Sequence, residues 1–280
     1  MKKIKNKLCD SKRELSQIMI LGGCLLLPVF FNLSGKIKLI LEKYELDVST
    51  IIYDCILELG DWSVGIALML YVLFKIFRNS NKEIILNKGN LYHDHSYIWY
   101  YFCSKVLGYR KVNLILIPIF TQFRLVIRDT FEEYPLNDDF FPNENMENIF
   151  VECFENTESN EVTSNPNEIN LILEDTYPIE KRQVPRKKQS LKMIRISRNN
   201  GVSVSRAYND HFVNKIIDAV RKLPSGTVLN IYATTNPKHT LQIAKRAFSL
   251  AERGNILGLY VFQQNANNER IFDSKAKKIF

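Results

Sequence analysis

Glycine is scarce in this sequence, at 11 of 280 residues, and nowhere does it fall in the spacings G-x-x-x-x-G-K-[ST] or G-x-G-x-x-G. The chain therefore has neither the phosphate-cradling P-loop nor the dinucleotide fingerprint. The G-x-S-x-G elbow, the H-E-x-x-H helix and the zinc-deaminase signature are also absent. Five cysteines (Cys9, Cys24, Cys55, Cys103 and Cys153) include no C-x-x-C pair. That excludes a zinc ribbon and a thioredoxin site, and an odd number does not close a disulfide framework, so reduced thiols are expected. His93 and His95 flank Asp94 but supply two ligands at most, so a surface or capping role is expected rather than a metal. Glu174 and Asp175 adjoin, yet neighbours on a strand point to opposite faces and make no acid/base pair. The sequence thus predicts no catalytic set, no metal and no cofactor: it does not read as an enzyme.

Basic residues are missing from one long stretch. Between Asp129 and Glu180 there are 15 acidic side chains and no Lys or Arg, whereas Lys181–Phe280 carries 20 basic and 5 acidic residues. This segregation, inside a formal net charge of +8, fits either two blocks that neutralise each other or a basic block that meets an anion.

What the chain does have is clustered hydrophobicity. Leu15–Gly35 is uncharged over 21 positions, roughly 30 Å of helix, the thickness of a hydrocarbon core. It lacks an A-x-A cleavage site and is followed by a second apolar run, which favours a retained span over a signal peptide. That second run, Trp62–Phe77, is 16 residues long and holds Lys75 near its end; its shortness implies hydrophobic mismatch. Lys and Arg crowd both outer flanks, and acids dominate the connecting loop. By the positive-inside rule both termini are expected in the cytoplasm of a bacterial inner membrane. The loop itself, Lys36–Asp61, has an amphipathic helical pattern from Ile37 to Leu59, placing Cys55 outside.

Beyond this anchor (residues 1–78), residues 79–128 read as mixed α/β. A helix is expected over Ser96–Leu107, followed by strands Val112–Ile117 and Phe123–Ile127 broken at Pro118. Residues 129–168 read as an acidic loop or linker, partly ordered around Met146–Phe154. From 169 to 280 strands and helices alternate. The strands are Ile169–Leu173, Leu191–Ser197, Thr227–Ala233 and Asn255–Phe262, with helices over Tyr208–Lys222 and from Pro237 to about Glu252. The pattern implies an α/β fold with a parallel, three-layer Rossmann-like sheet.

Ligands of such sheets lie beyond the carboxyl ends of the strands. Three exits carry polar groups: Thr176 after the first strand, Ser197 and Arg198 at the second, and Thr234, Thr235, Asn236 and Lys238 at the third. The third opens a helix, where free N–H groups and the dipole favour phosphate; Asn236 also fits a helix cap. Together, inside the basic block, they form a candidate ligand-binding site for a nucleotide-like anion.

A two-span anchor followed by LNIYATTNPKHTLQIAKRAF in a strand–loop–helix resembles bacterial anti-phage membrane effectors with CARF or SAVED-type sensor domains, over about residues 169–264. The resemblance implies a membrane-anchored receptor-effector that binds a cyclic oligonucleotide-type signal, an anionic nucleotide second messenger, and perturbs the membrane lipid around its spans as a homo-oligomer. SAVED domains carry two CARF-like halves and this chain has room for one, so a dimer-completed pocket and a merely generic topology both stay open. The alternative from the residues is a non-enzymatic scaffold holding a protein or nucleic-acid partner at the membrane.

Overall fold

The computed structural model describes residues 11–33, 35, 36, 39, 60–87, 92–136, 139, 141–144, 149–154, 167–198, 206–248, 254–265 and 269–280. The amphipathic pattern expected over Ile37–Leu59, with Cys55, and much of the acidic stretch lie outside the described residues. The chain forms two compact units: Met1–Leu91 with Ile98–Val112, and Tyr92–Tyr97 with Asn113–Phe280.

In the first unit the two apolar runs become helices α1 (Lys12–Phe31) and α2 (Asp61–Asn81), of 20 and 21 residues, each long and apolar enough to cross a membrane. Helix α2 is longer than the 16-residue run expected, because Lys75 and Arg78 do not end it. It continues through a π-helical turn, Val72–Phe77, into Arg78–Asn81. The mismatch expected from its shortness therefore does not follow from its length. The helices cross closely at Gly65, where an added Cβ would lie 2.4 Å from the Leu25 carbonyl oxygen. Gly65→Leu is expected to force the pair apart and lower the thermal unfolding midpoint in detergent. Gly22→Leu, where nothing lies within 4 Å, should leave the midpoint unchanged. Large apolar side chains such as Met19, Phe30, Tyr71 and Phe74 point outward from the pair, as lipid-facing residues do.

After α2 the chain makes strand β1 (Ile85–Leu86), helix α3 (Tyr97–Lys105) and strand β2 (Lys111–Val112), the two strands pairing in parallel. The strand expected to run on to Ile117 stops at Val112. Asn113 Oδ1 accepts the Ile115 N–H at 2.9 Å, a local turn, and Leu116 takes a left-handed φ of 61°. The strand expected over Phe123–Ile127 is instead part of helix α4 (Ile119–Ile127), with Pro118 at its N-cap. A proline just before the first helical residue removes no intrahelical N–H bond, so the helix can begin directly after it. Thr121, Gln122, Phe123, Leu125 and Val126 are buried, so the apolar run was a helix face and not a strand.

The second unit is built on a six-stranded sheet. Its strands are β3 (Phe150–Phe154), β4 (Glu168–Glu174), β5 (Lys192–Ser197), β6 (Thr227–Ala233), β7 (Ile256–Phe262) and β8 (Lys277–Lys278), in spatial order β3-β5-β4-β6-β7-β8. The central four are parallel, and β3 and β8 add antiparallel edges. Helix α5 (Asp210–Arg221) joins β5 to β6, and α6 (Pro237–Ile243), extended by a π turn to Phe248, leads from β6 towards β7.

Period-two alternation gives the sheet two apolar faces. Helices α4, α5 and α6 pack on one another, with Ala219 of α5 near Ile169 and Ile194 on one face. On the other face Ile172, Met193, Tyr232 and Phe262 pack with Ile179, Val184 and Phe272. That cover is irregular chain: the β4–β5 connection holds only 3-10 turns, Lys181–Gln183 and Arg186–Lys188. The expected three layers are thus a sheet with one described helical layer and one layer of loops, in a mixed α/β unit.

Candidate functional site

The carboxyl ends of β4, β5 and β6 come together, and the polar residues read from the sequence meet there. Thr176, Ser197, Arg198, Thr234, Thr235 and Asn236 are all buried, and Lys238 is half-buried. Their partners are mostly buried groups of the same loops. Thr176 Oγ1 donates to the Thr234 carbonyl and Thr234 Oγ1 to the Tyr177 carbonyl, both at 2.7 Å. The Thr235 and Thr240 hydroxyls are 2.7 Å apart. Asn236 caps α6, its Oδ1 accepting the His239 N–H at 2.8 Å.

At the centre lies Asp175, fully buried one residue beyond β4. Its Oδ1 is 2.9 Å from Arg198 Nε, and its Oδ2 is 2.6 Å from His239 Nδ1 and accepts the Asn236 N–H at 2.8 Å. The Asn209 N–H donates to His239 Nε2 at 2.8 Å, which leaves Nδ1 to carry the imidazole proton towards Asp175. A carboxylate of the chain itself thus sits at the α6 N-terminus, where free N–H groups favour an anion.

Arg198 extends the cluster outward. Its Nη1 donates to Glu144 Oε2 at 2.6 Å and to the Ala207 carbonyl at 3.1 Å. Glu144 belongs to a short strip of the acidic stretch that runs beside residue 208. The Tyr208 N–H donates to the Pro142 carbonyl and the Glu144 N–H to the Tyr208 carbonyl, each at 2.8 Å. Lys238 Nζ reaches back to this strip, 3.3 Å from the Phe141 carbonyl and 3.4 Å from Asn143 Oδ1, and lies 4.8 Å from the Tyr208 ring centre. The phenol of Tyr208 is pushed up to about 12 by burial and by its bond to Asp210. Asp210 in turn is held below the usual carboxylate range, first by the Arg246 guanidinium.

The structure therefore joins all seven sequence-predicted residues in one place and adds Asp175, Glu144, Asn209 and His239. Asp175 and His239 lie 64 residues apart, and no local spacing announces such a pair. Among the described residues no group of three or more His, Cys, Asp or Glu side chains is placed to hold a metal ion. His93, expected at the surface, is fully buried, and its N–H donates to the Leu116 carbonyl at 2.9 Å.

A second concavity lies at the opposite ends of β4 and β5. It is a groove of about 490 Å³ with Val151, Cys153, Ile169 and Ile194 among its apolar walls and Lys192, Lys215 and Lys222 around it.

Comparison with known proteins adds one match. A family model described as "SMODS- and Ubiquitin system-associated 2TM effector domain" (SUa-2TM) matches residues 1–280. Comparison with curated proteins returns no match.

Proposed function

Because the chain belongs to the SMODS- and ubiquitin system-associated 2TM effector domain family, we propose that it is a membrane-anchored effector of anti-phage defence, triggered by an anionic, cyclic nucleotide-type signal. In this reading both termini face the cytoplasm, a Rossmann-like unit receives the signal, and α1 and α2 of a homo-oligomer perturb the inner membrane. The observation that carries the ligand half is Arg198, a buried guanidinium already holding two carboxylates beside a helix N-terminus. Glu144, on the outer side of that cluster and partly exposed, is the group an incoming phosphate displaces. Arg198 and Lys238 then take up the phosphate, and the strip around Glu144 is released as the mechanical output. The lysine-rimmed groove favours the second reading, a scaffold for an acidic partner, since its cations are arranged around an open apolar floor.

Thermal unfolding of the full chain in lipid nanodiscs, with cyclic di- and trinucleotides, separates the two. A ligand at 100 times its dissociation constant should add about 2.7 kcal/mol. Lys238→Glu should abolish that gain, and Glu144→Ala should strengthen binding by removing the competing carboxylate. Arg270→Glu, with the same charge change, serves as control. Binding indifferent to both site substitutions but lost in Lys215→Glu would move the ligand to the groove.

A further inference from the structure

In the first unit the C-terminal end of α3 is fastened to the last turn of α2. Arg78 donates to the carbonyls of Lys105 at 2.7 Å and Val106 at 3.4 Å, and Asn81 Nδ2 donates to the Leu107 carbonyl at 2.8 Å. Gly108, at φ 81°, lies so close to Arg78 that an added Cβ would come within 2.9 Å of it. Just beyond, the Tyr109 hydroxyl donates to Glu14 of α1 at 2.8 Å. These bonds hold α3 at the level where both apolar helices end. The outward apolar band of α1 begins at Met19, and that of α2 ends at Ile76. At 1.5 Å per residue these lie about 3 Å from Gln17 and about 7.5 Å from Asn81 along the helix axes. The headgroup layer on either side of a hydrocarbon core is of that same thickness.

The sequence of α3, YIWYYFCSK, carries no acidic residue. Tyr100 and Cys103 face inward and are fully buried, whereas Ile98 is 77% and Tyr101 50% exposed. A spacing of three puts Ile98 and Tyr101 on one side of the helix. Trp99 and Phe102 stack beside them, ring centres 6.2 Å apart, and Lys105 and Arg110 are exposed beyond. Tyrosine and tryptophan gather at membrane–water boundaries because their rings are apolar and their tips polar, and Lys or Arg at the same depth meets lipid phosphate.

We propose that the Ile98–Lys105 part of α3 is a third, interfacial membrane element, with Ile98 and Tyr101 set among phospholipid headgroups and upper acyl carbons. The occupant is lipid because the exposed apolar face lies at the depth where the outward bands of α1 and α2 end, and because its basic flank matches phosphate.

The chain has two tryptophans, so Trp62→Phe leaves Trp99 as the sole fluorescent reporter in the full-length protein. It is reconstituted at low protein density in phosphatidylcholine–phosphatidylglycerol vesicles brominated either near the headgroup or near the acyl ends. The expected result is a blue-shifted emission, quenched more by shallow than by deep bromines. Adding Ile98→Asp and Tyr101→Asp should abolish the shallow quenching and shift the emission to the red. Quenching by aqueous acrylamide but not by bromolipid would overturn the proposal. So would emission that changes only as the protein is diluted, which marks a second copy as the cover, and so would shallow quenching that survives the double substitution.

Discussion

Arg198→Met is expected to cost about 3–5 kcal/mol of stability, the penalty for stranding one member of a buried ion pair. Both Arg198 and Asp175 have fully buried side chains. Without the guanidinium, Asp175 keeps the Asn236 N–H and the imidazole of His239 but no fixed positive charge, and Glu144 loses its anchor. Asn236 and His239, the groups around Asp175 on the side away from Glu144, are themselves buried, so little water compensates there. The double variant Asp175→Asn/Arg198→Met removes both charges and should recover part of the loss, because the two substitutions share one interaction. Urea unfolding of the full chain in detergent, followed by circular dichroism, reads both. A single-variant cost below about 1 kcal/mol, the range of exposed pairs, would mean that the cluster is wet and not the keystone of the strand exits.

The second large effect is expected at Asn81, an amide with no exposed surface. It exchanges two hydrogen bonds with Gln17, each 3.0 Å, accepts one from Arg13 at 3.2 Å and donates to Leu107 at 2.8 Å. Asn81→Leu strands the Gln17 amide and the Leu107 carbonyl, at about 1–3 kcal/mol for each buried group left without a partner. Replacing Gln17 by Leu as well removes one of the stranded groups, so the double variant should be milder than Asn81→Leu alone. Protease cleavage near Lys105 and Arg110 in detergent-solubilised protein provides the measure. The expected order of resistance is wild type, then the double variant, then Asn81→Leu. Equal resistance in all three would show that these amides do not fasten the helix ends.

These two clusters show what a sequence discloses and what it does not. The strands Ile169–Leu173 and Thr227–Ala233 and the helix around Phe212, Ile216 and Val220 were legible, since alternation and helical spacing are local signals. Helix α4 was not, because four apolar residues in a run of five, Phe123–Ile127, fit a strand as well as a helix; Pro118 decided between them only as an N-cap. The polar residues read at the strand exits do come together, yet their partners were hidden. Glu144 comes from an acidic stretch that reads as solvated surface, and His239 reads as an ordinary first-turn residue. Reciprocal pairs such as Gln17 with Asn81, or Glu14 with Tyr109, join positions whose separation in the chain carries no pattern at all.

The inward residues of α2 fall at Gly65, Leu73, Phe77 and Asn81, every one separated from the next by a multiple of four. A uniform α-helix turns about 100° per residue, so sixteen residues on from Gly65 it would present Asn81 about 160° round the axis. The π turn at Val72–Phe77 winds more slowly and takes back most of that drift. It works as a phase corrector between two gears. The glycine contact with α1 needs one azimuth, the amide clasp on Gln17 needs nearly the same one roughly 24 Å further along the axis, and only an overwide turn between them lets a single helix meet both.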